Sequence, residues 1–130
     1  LLEELSGIII DEFSIQQTCE SLLSNIDHYI AYVALDHSET CIGVITTFET
    51  YALYACGKIG TIQELYVAPE HRSMHVGKVL LQCVIDYGKT HSWRRIEVGA
   101  PNAQLWGRTL SFYKNMGFSE IGPRLKLTFE

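Results

Sequence analysis

The chain has 130 residues, of which 47% are hydrophobic and 19% charged, enough for one unstapled core and unlike a disordered segment. Its formal charge of −5 and pI of about 5.5 argue against a nucleic-acid module, which needs a basic face to hold phosphates. No apolar run approaches the roughly 20 residues of a membrane span and no signal-peptide pattern is present, so a cytoplasmic protein without a membrane partner is expected.

The opening run, Leu1-Leu2-Glu3-Glu4-Leu5, reads as the middle of a helix and predicts a native chain that begins upstream. Residues 14–24 place Ile15, Cys19, Leu22 and Leu23 on one side of a helix, with Ser14 as its cap. Residues 29–35 and 41–54 are β-prone and flank a polar turn, which reads as a hairpin. A further strand over 59–67 stops at Pro69, since proline cannot donate to a ladder. Val76, Val79, Leu80, Cys83, Val84 and Tyr87 give residues 76–90 an amphipathic helical period. A short strand over 95–100 and a helix over 104–116 follow, the helix ending at Gly117. Two final strands are predicted over 118–121 and 125–129, the last offering an open edge that a second copy could pair with. A single domain over 1–130 is expected.

The four cysteines, Cys19, Cys41, Cys56 and Cys83, lack zinc-site spacing and are expected to be reduced and mostly buried. His71 and His75 stand four apart with no third ligand nearby in sequence, so no metal site is expected. Phe48, Tyr51 and Tyr54 either line an acceptor pocket or fill a sheet face. Trp93 reads as core or interface.

The strongest chemical signal lies between the strand at 59–67 and the helix at 76–90. A loop that opens a helix presents backbone N–H groups without partners at the positive end of the helix dipole, which is an anion site. Arg72 and Lys78 add positive charge. On this loop alone, a diphosphate cradle and an ordinary strand–helix turn are both open.

The run ELYVAPEHRSMHVGKVLL resembles the acetyl-CoA-binding motif of the GCN5-related N-acetyltransferase (GNAT) superfamily. Arg72 and Gly77 match its first and last positions. Downstream, Phe112-Tyr113-Lys-Asn-Met-Gly117-Phe118 is similar to the family's Phe-Tyr-x-x-x-Gly-Phe helix end. Two departures stand out: His75 replaces the motif's middle glycine, and Trp106 occupies a position where the family often has Asn, while Asn102 follows the strand at 95–100.

The resemblance implies an α+β fold, the acyl-CoA N-acyltransferase fold. Its sheet is mixed and mostly antiparallel, with a central splayed parallel strand pair and helices on both faces. On this resemblance, the chain is expected to lack the family's N-terminal strand and part of its first helix. It further implies acetyl-CoA as cosubstrate, held by the backbone of Leu65, Tyr66 and Val67, by Arg72, Ser73, Met74, His75, Val76, Gly77 and Lys78, and by Asn102 and Tyr113. The activity implied is acetyl transfer to a primary amine, a small molecule rather than a protein, by direct attack in a ternary complex. Glu64 or Glu97 is the base and Tyr113 the acid that protonates the leaving thiolate. A homodimer is compatible with this reading. The rival is a non-catalytic acyl-CoA-binding or sensing domain of the same fold.

Overall fold

The computed structural model describes residues 11–24, 27–72, 75–99 and 103–129, with side chains from 107 onward in the last stretch. The chain divides into two compact units, Leu1–Glu97 and Val98–Glu130.

In the first unit, helix α1 spans Glu12–Leu23. Its cap is Asp11, whose carboxylate accepts from the Ser14 N–H at 2.9 Å and from the Ser14 hydroxyl at 2.8 Å. The sequence reading put the cap at Ser14; the carboxylate wins because it adds a full negative charge at the helix N-terminus. The same two bonds hold the Asp11 pKa below the ordinary carboxylate value.

Strands β1 (Tyr29–Leu35), β2 (Cys41–Ala52), β3 (Gly57–Val67) and β4 (Arg95–Val98) form one sheet in the order β1-β2-β3-β4. The first two pairings are antiparallel. A helical crossover, α2 (Val76–Thr90), joins β3 to its neighbour β4 and makes that pair parallel. The mixed, mostly antiparallel α+β architecture expected from the sequence is the one observed.

Helix α2 covers the sheet face that carries Gly43, Ile45 and Thr47, three alternating buried positions of β2. A Cβ added at Gly43 would lie 3.0 Å from Leu80 Cδ1 and 3.3 Å from Val76 Cγ1, so helix and sheet approach closely there. Leu80, Leu81, Val84 and Gly88 form the buried stripe of α2. Val79, assigned to that stripe by periodicity, is 61% exposed; the helix is rotated so that Leu81 takes the core position. Truncating a fully buried Leu81 to Ala is expected to cost about 2–5 kcal/mol.

Trp93, just before β4, locks the parallel pair. Its indole lies where a Cβ on Gly60 of β3 would stand 2.0 Å from the ring, and one on Gly88 of α2 would stand 2.7 Å away. Two glycines therefore make the slot for one tryptophan. The indole N–H donates to Glu49 Oε2 at 2.6 Å, and the Arg94 N–H donates to the Lys58 carbonyl at 2.8 Å to start the β3–β4 register.

Cys19, Cys41 and Cys56 are exposed and Cys83 is half-buried, all as free thiols. The expectation that most would be buried fails because three of them stand on α1, at the start of β2 and in the turn before β3, not on the covered face. Among the described residues, no three His, Cys, Asp or Glu groups gather to hold a metal, and no helix is long and apolar enough to cross a membrane.

In the second unit, helix α3 spans Ala103–Asn115. The Phe118 N–H donates to the Tyr113 carbonyl at 3.0 Å and the Gly117 N–H to the Lys114 carbonyl at 3.0 Å. Together with φ +95° at Gly117, these bonds make a Schellman cap. The two strands predicted beyond it do not form: residues 118–129 are irregular. Leu125, Leu127 and Phe129 are 80–94% exposed. Alternation makes a strand only where another strand supplies ladder partners, and among the described residues this segment has none.

Candidate active site

The site begins with an irregularity in β3. Thr46 pairs with Glu64 but Thr47 pairs with Ile62, so Gln63 is an extra residue, a β-bulge. A bulge bends its strand and re-aims the side chains that follow. Here it brings Glu64 onto the same sheet face as Thr46, opposite to the face carrying Ile45 and Thr47. The Glu64 N–H donates to Thr46 Oγ1 at 3.1 Å, and the Thr46 hydroxyl in turn donates to Glu64 Oε2. Thr46 is buried and Glu64 half-buried.

Beyond the bulge, β3 offers an outer edge. The Ala68 N–H bonds the Ile42 carbonyl at 2.8 Å, so the alternation of an antiparallel ladder turns Tyr66 toward β2 and turns the N–H and C=O of Leu65 and Val67 outward. β4 has four residues against eleven in β3 and starts level with Lys58, so β3 runs on past its end. Of the three backbone positions singled out in sequence, Leu65 and Val67 present groups to this edge, while the polar groups of Tyr66 belong to the ladder.

The chain then turns back on itself. Arg72 Nε donates to the Val67 carbonyl at 2.9 Å, and its guanidinium carbon lies 5.4 Å from the centre of the Tyr66 ring. Arg72 thus holds the loop over the end of β3, a role its sequence position alone did not suggest. Ser73, Met74 and Asn102 lie outside the described residues.

His75 precedes α2 with φ 63° and ψ 8°, the left-handed conformation that glycine adopts without steric cost. The backbone has kept the glycine geometry although the residue has changed; histidine is among the side chains enriched there. Its imidazole is exposed and makes no capping bond to the helix. The His75 carbonyl accepts from the Val79 N–H at 3.0 Å, and helix geometry leaves the N–H groups of Val76, Gly77 and Lys78 without intrahelical acceptors. Lys78 stands exposed in this first turn, where a cation opposes the helix dipole by about 0.3–1 kcal/mol.

The other carboxylate candidate sits differently. Glu97 Oε1 accepts from Arg95 Nε at 2.8 Å, is 2.6 Å from an Arg95 terminal nitrogen, and accepts from the Tyr54 hydroxyl at 3.0 Å. Arg95 also lies 4.7 Å over the Tyr54 ring, and the bonds to Glu97 raise the Arg95 pKa. Tyr54 is therefore tied to β4, while Tyr51 is 77% exposed and Phe48 packs at 6.2 Å against Tyr29. The three aromatics do not share one environment.

Tyr113 is 5% exposed, with its ring edge-on to Phe112 and Phe118 at 5.3 Å each. Burial pushes its hydroxyl pKa up to about 12. Its contact with Phe118 is the hydrophobic contact that accompanies a Schellman cap. The residue that sequence reasoning missed is Thr46. Its signal was there: two adjacent threonines directly after the apolar run Ile42 to Ile45 of β2.

A family model described as the acetyltransferase (GNAT) family matches residues 3–118. The chain therefore belongs to the GNAT family, whose members transfer acetyl groups and typically use acetyl-CoA. Solved structures share its fold. A transcriptional regulator from Bacillus halodurans C-125 superposes with a TM-score of 0.80 at 21% identity, over 90% of this chain and 76% of that one. An aminoglycoside 6'-N-acetyltransferase from Acinetobacter haemolyticus gives 0.77 at 18% identity, over 98% and 88%. Glucosamine-6-phosphate N-acetyltransferase from Arabidopsis thaliana gives 0.75 at 17%, over 94% and 81%. No curated protein sequence matches the chain.

Proposed function

We propose that this chain is an acetyl-CoA-dependent N-acetyltransferase that moves an acetyl group to a primary amine by direct attack in a ternary complex. The observation that carries the reading is the continuous run from the bulge at Gln63 to the first turn of α2. It supplies a carboxylate, an outward backbone edge and a cluster of helix N–H groups within sixteen residues, Gln63 to Lys78.

Acetyl-CoA supplies an activated thioester carbonyl. The outward groups of Leu65 hold its pantetheine arm, and the N–H of Val67, whose carbonyl is bonded by Arg72, stabilises the oxyanion that develops on the acyl carbonyl. The N–H groups at His75, Val76, Gly77 and Lys78 hold the diphosphate, with Arg72, Ser73 and Met74 completing the loop. Lys78 favours this assignment, since a bound dianion turns its unfavourable placement into an attraction. Asn102 is assigned to the cofactor by the family resemblance.

A primary amine has a pKa of about 10.4 and must shed a proton before it attacks. Glu64 is the proposed base, acting directly or through one water. Glu97 is the weaker candidate because its Oε1 already accepts from Arg95 and Tyr54. Tyr113 is proposed as the donor to the leaving sulfur on its place in the Phe-Tyr-x-x-x-Gly-Phe run; its pKa of about 12 keeps the hydroxyl protonated at neutral pH but makes it a weaker acid than an ordinary tyrosine. The favoured acceptor is a small-molecule amine, a choice supported by two of the similar structures, which are named for an aminoglycoside and for glucosamine-6-phosphate.

Calorimetric titration with acetyl-CoA, followed by an assay of CoA release with spermidine, kanamycin and lysine, tests the reading. Binding with amine-dependent release is expected. Binding without release for any amine would favour an acyl-CoA sensor, and absence of binding would sink both.

A further inference from the structure

We infer that Thr46 is the positioning residue for Glu64, with one hydroxyl bonded to both its backbone N–H and its carboxylate. The inference deepens the assignment of Glu64 as base and rests on it.

An extra residue in β3 disrupts the ladder locally, and at that point the Glu64 N–H goes to a side chain, Thr46 Oγ1, at 3.1 Å. A hydroxyl has one proton to give, and Thr46 gives it to Glu64 Oε2. The hydroxyl accepts from the backbone of Glu64 and donates to its carboxylate, so the direction of both bonds is set. A glutamate loses considerable rotamer freedom when held. Here the loop from its own N–H through Thr46 to its carboxylate selects one arrangement and leaves Oε1 as the oxygen to face an amine or a water.

Thr46 is itself well held. It is 8% exposed and β-branched, which restricts its side-chain rotamers, and it stands on a strand between two paired neighbours. A general base works only if it stays in reach of the proton, and small misplacements lower turnover steeply. Thr46 provides that constraint without touching the substrate.

The test uses Thr46→Val, which replaces the hydroxyl by a methyl of similar size, and Thr46→Ser, which keeps it. Thr46→Ala substitutes if the valine variant does not fold. Amide hydrogen exchange at Glu64, read by NMR on the protein without acetyl-CoA, should speed up about tenfold or more in Thr46→Val and stay near wild type in Thr46→Ser. CoA release with acetyl-CoA and spermidine, kanamycin or lysine should show kcat down about tenfold in Thr46→Val, an unchanged KM for acetyl-CoA, and recovery in Thr46→Ser. In a Glu64→Gln background, Thr46→Val should cost nothing further. Unchanged exchange at Glu64, or an equal loss from Thr46→Val with and without Glu64, overturns the inference. Full turnover in Glu64→Gln alone would instead remove the base assignment, and with it any catalytic role for Thr46. Exchange at Glu64 would then report only whether the hydroxyl holds the Glu64 backbone N–H.

Discussion

Two stretches of this chain carry family-like motifs, and they are built in opposite ways. Among its described residues, the run from Gln63 to Lys78 departs from regular structure at a bulge and at a left-handed His75, and it offers an outward strand edge and a helix start with open N–H groups. The run from Tyr113 to Phe118 closes on itself: two backbone bonds, a left-handed glycine and a ring contact complete the cap. The first has polar groups left over for a ligand. The second has spent its backbone groups on ending a helix. A motif is best read by what remains after the local structure has been satisfied, and by that measure the first stretch is the stronger functional candidate.

The largest expected effect tests this contrast directly. Glu64→Gln should lower kcat by about 100-fold or more while leaving acetyl-CoA affinity within about twofold, and Glu97→Gln should cost less than about threefold. Steady-state CoA release and calorimetry give both numbers. The reverse ranking would move the base to β4.

Tyr113→Phe comes next. Loss of the hydroxyl should lower kcat about tenfold with unchanged acetyl-CoA affinity, because the ring and its contact with Phe118 are kept. Unchanged turnover would assign Tyr113 entirely to the helix cap. Gly117→Ala probes the cap without touching that hydroxyl. At φ +95° an alanine is strained, and a loss of about 1 kcal/mol is expected, read as a fall in Tm of roughly 3–6 °C. A catalytic effect beyond the fraction unfolded would mean that the cap also positions reacting groups.

The smallest effect is at His75. Glycine relieves the left-handed strain but loosens the unfolded chain, so His75→Gly should stabilise by only about 0.5 kcal/mol, with acetyl-CoA binding equal or tighter. Weaker binding would show that the imidazole itself contributes to the cradle.

Much of the fold was legible in the residues. The hairpin, the strand stopping at Pro69, the α2 period and the Gly117 stop all follow from local rules, and each is where the sequence places it within a few residues. Gly117 in particular could be read as a helix end because glycine tolerates positive φ. The rest depended on partners. Residues 118–129 have strand-like alternation but no ladder among the described residues, and Val79 fits the period of α2 yet faces solvent while Leu81 is buried.

The site divides in the same way. Sequence alone determined the kinds of groups present around residues 63–78 and their order, because composition and spacing along a chain are local properties. Only the tertiary structure decided which of them cooperate. The bulge exists because β2 and β3 fall out of step at Thr46, and that register brings a threonine eighteen residues away onto Glu64. The pairing of β3 with β2 turned Leu65 and Val67 outward and drew Tyr66 into the ladder, and β4 drew Glu97 into a cluster with Arg95 and Tyr54. Strand register is a relation between distant segments, and no local pattern in either strand contains it.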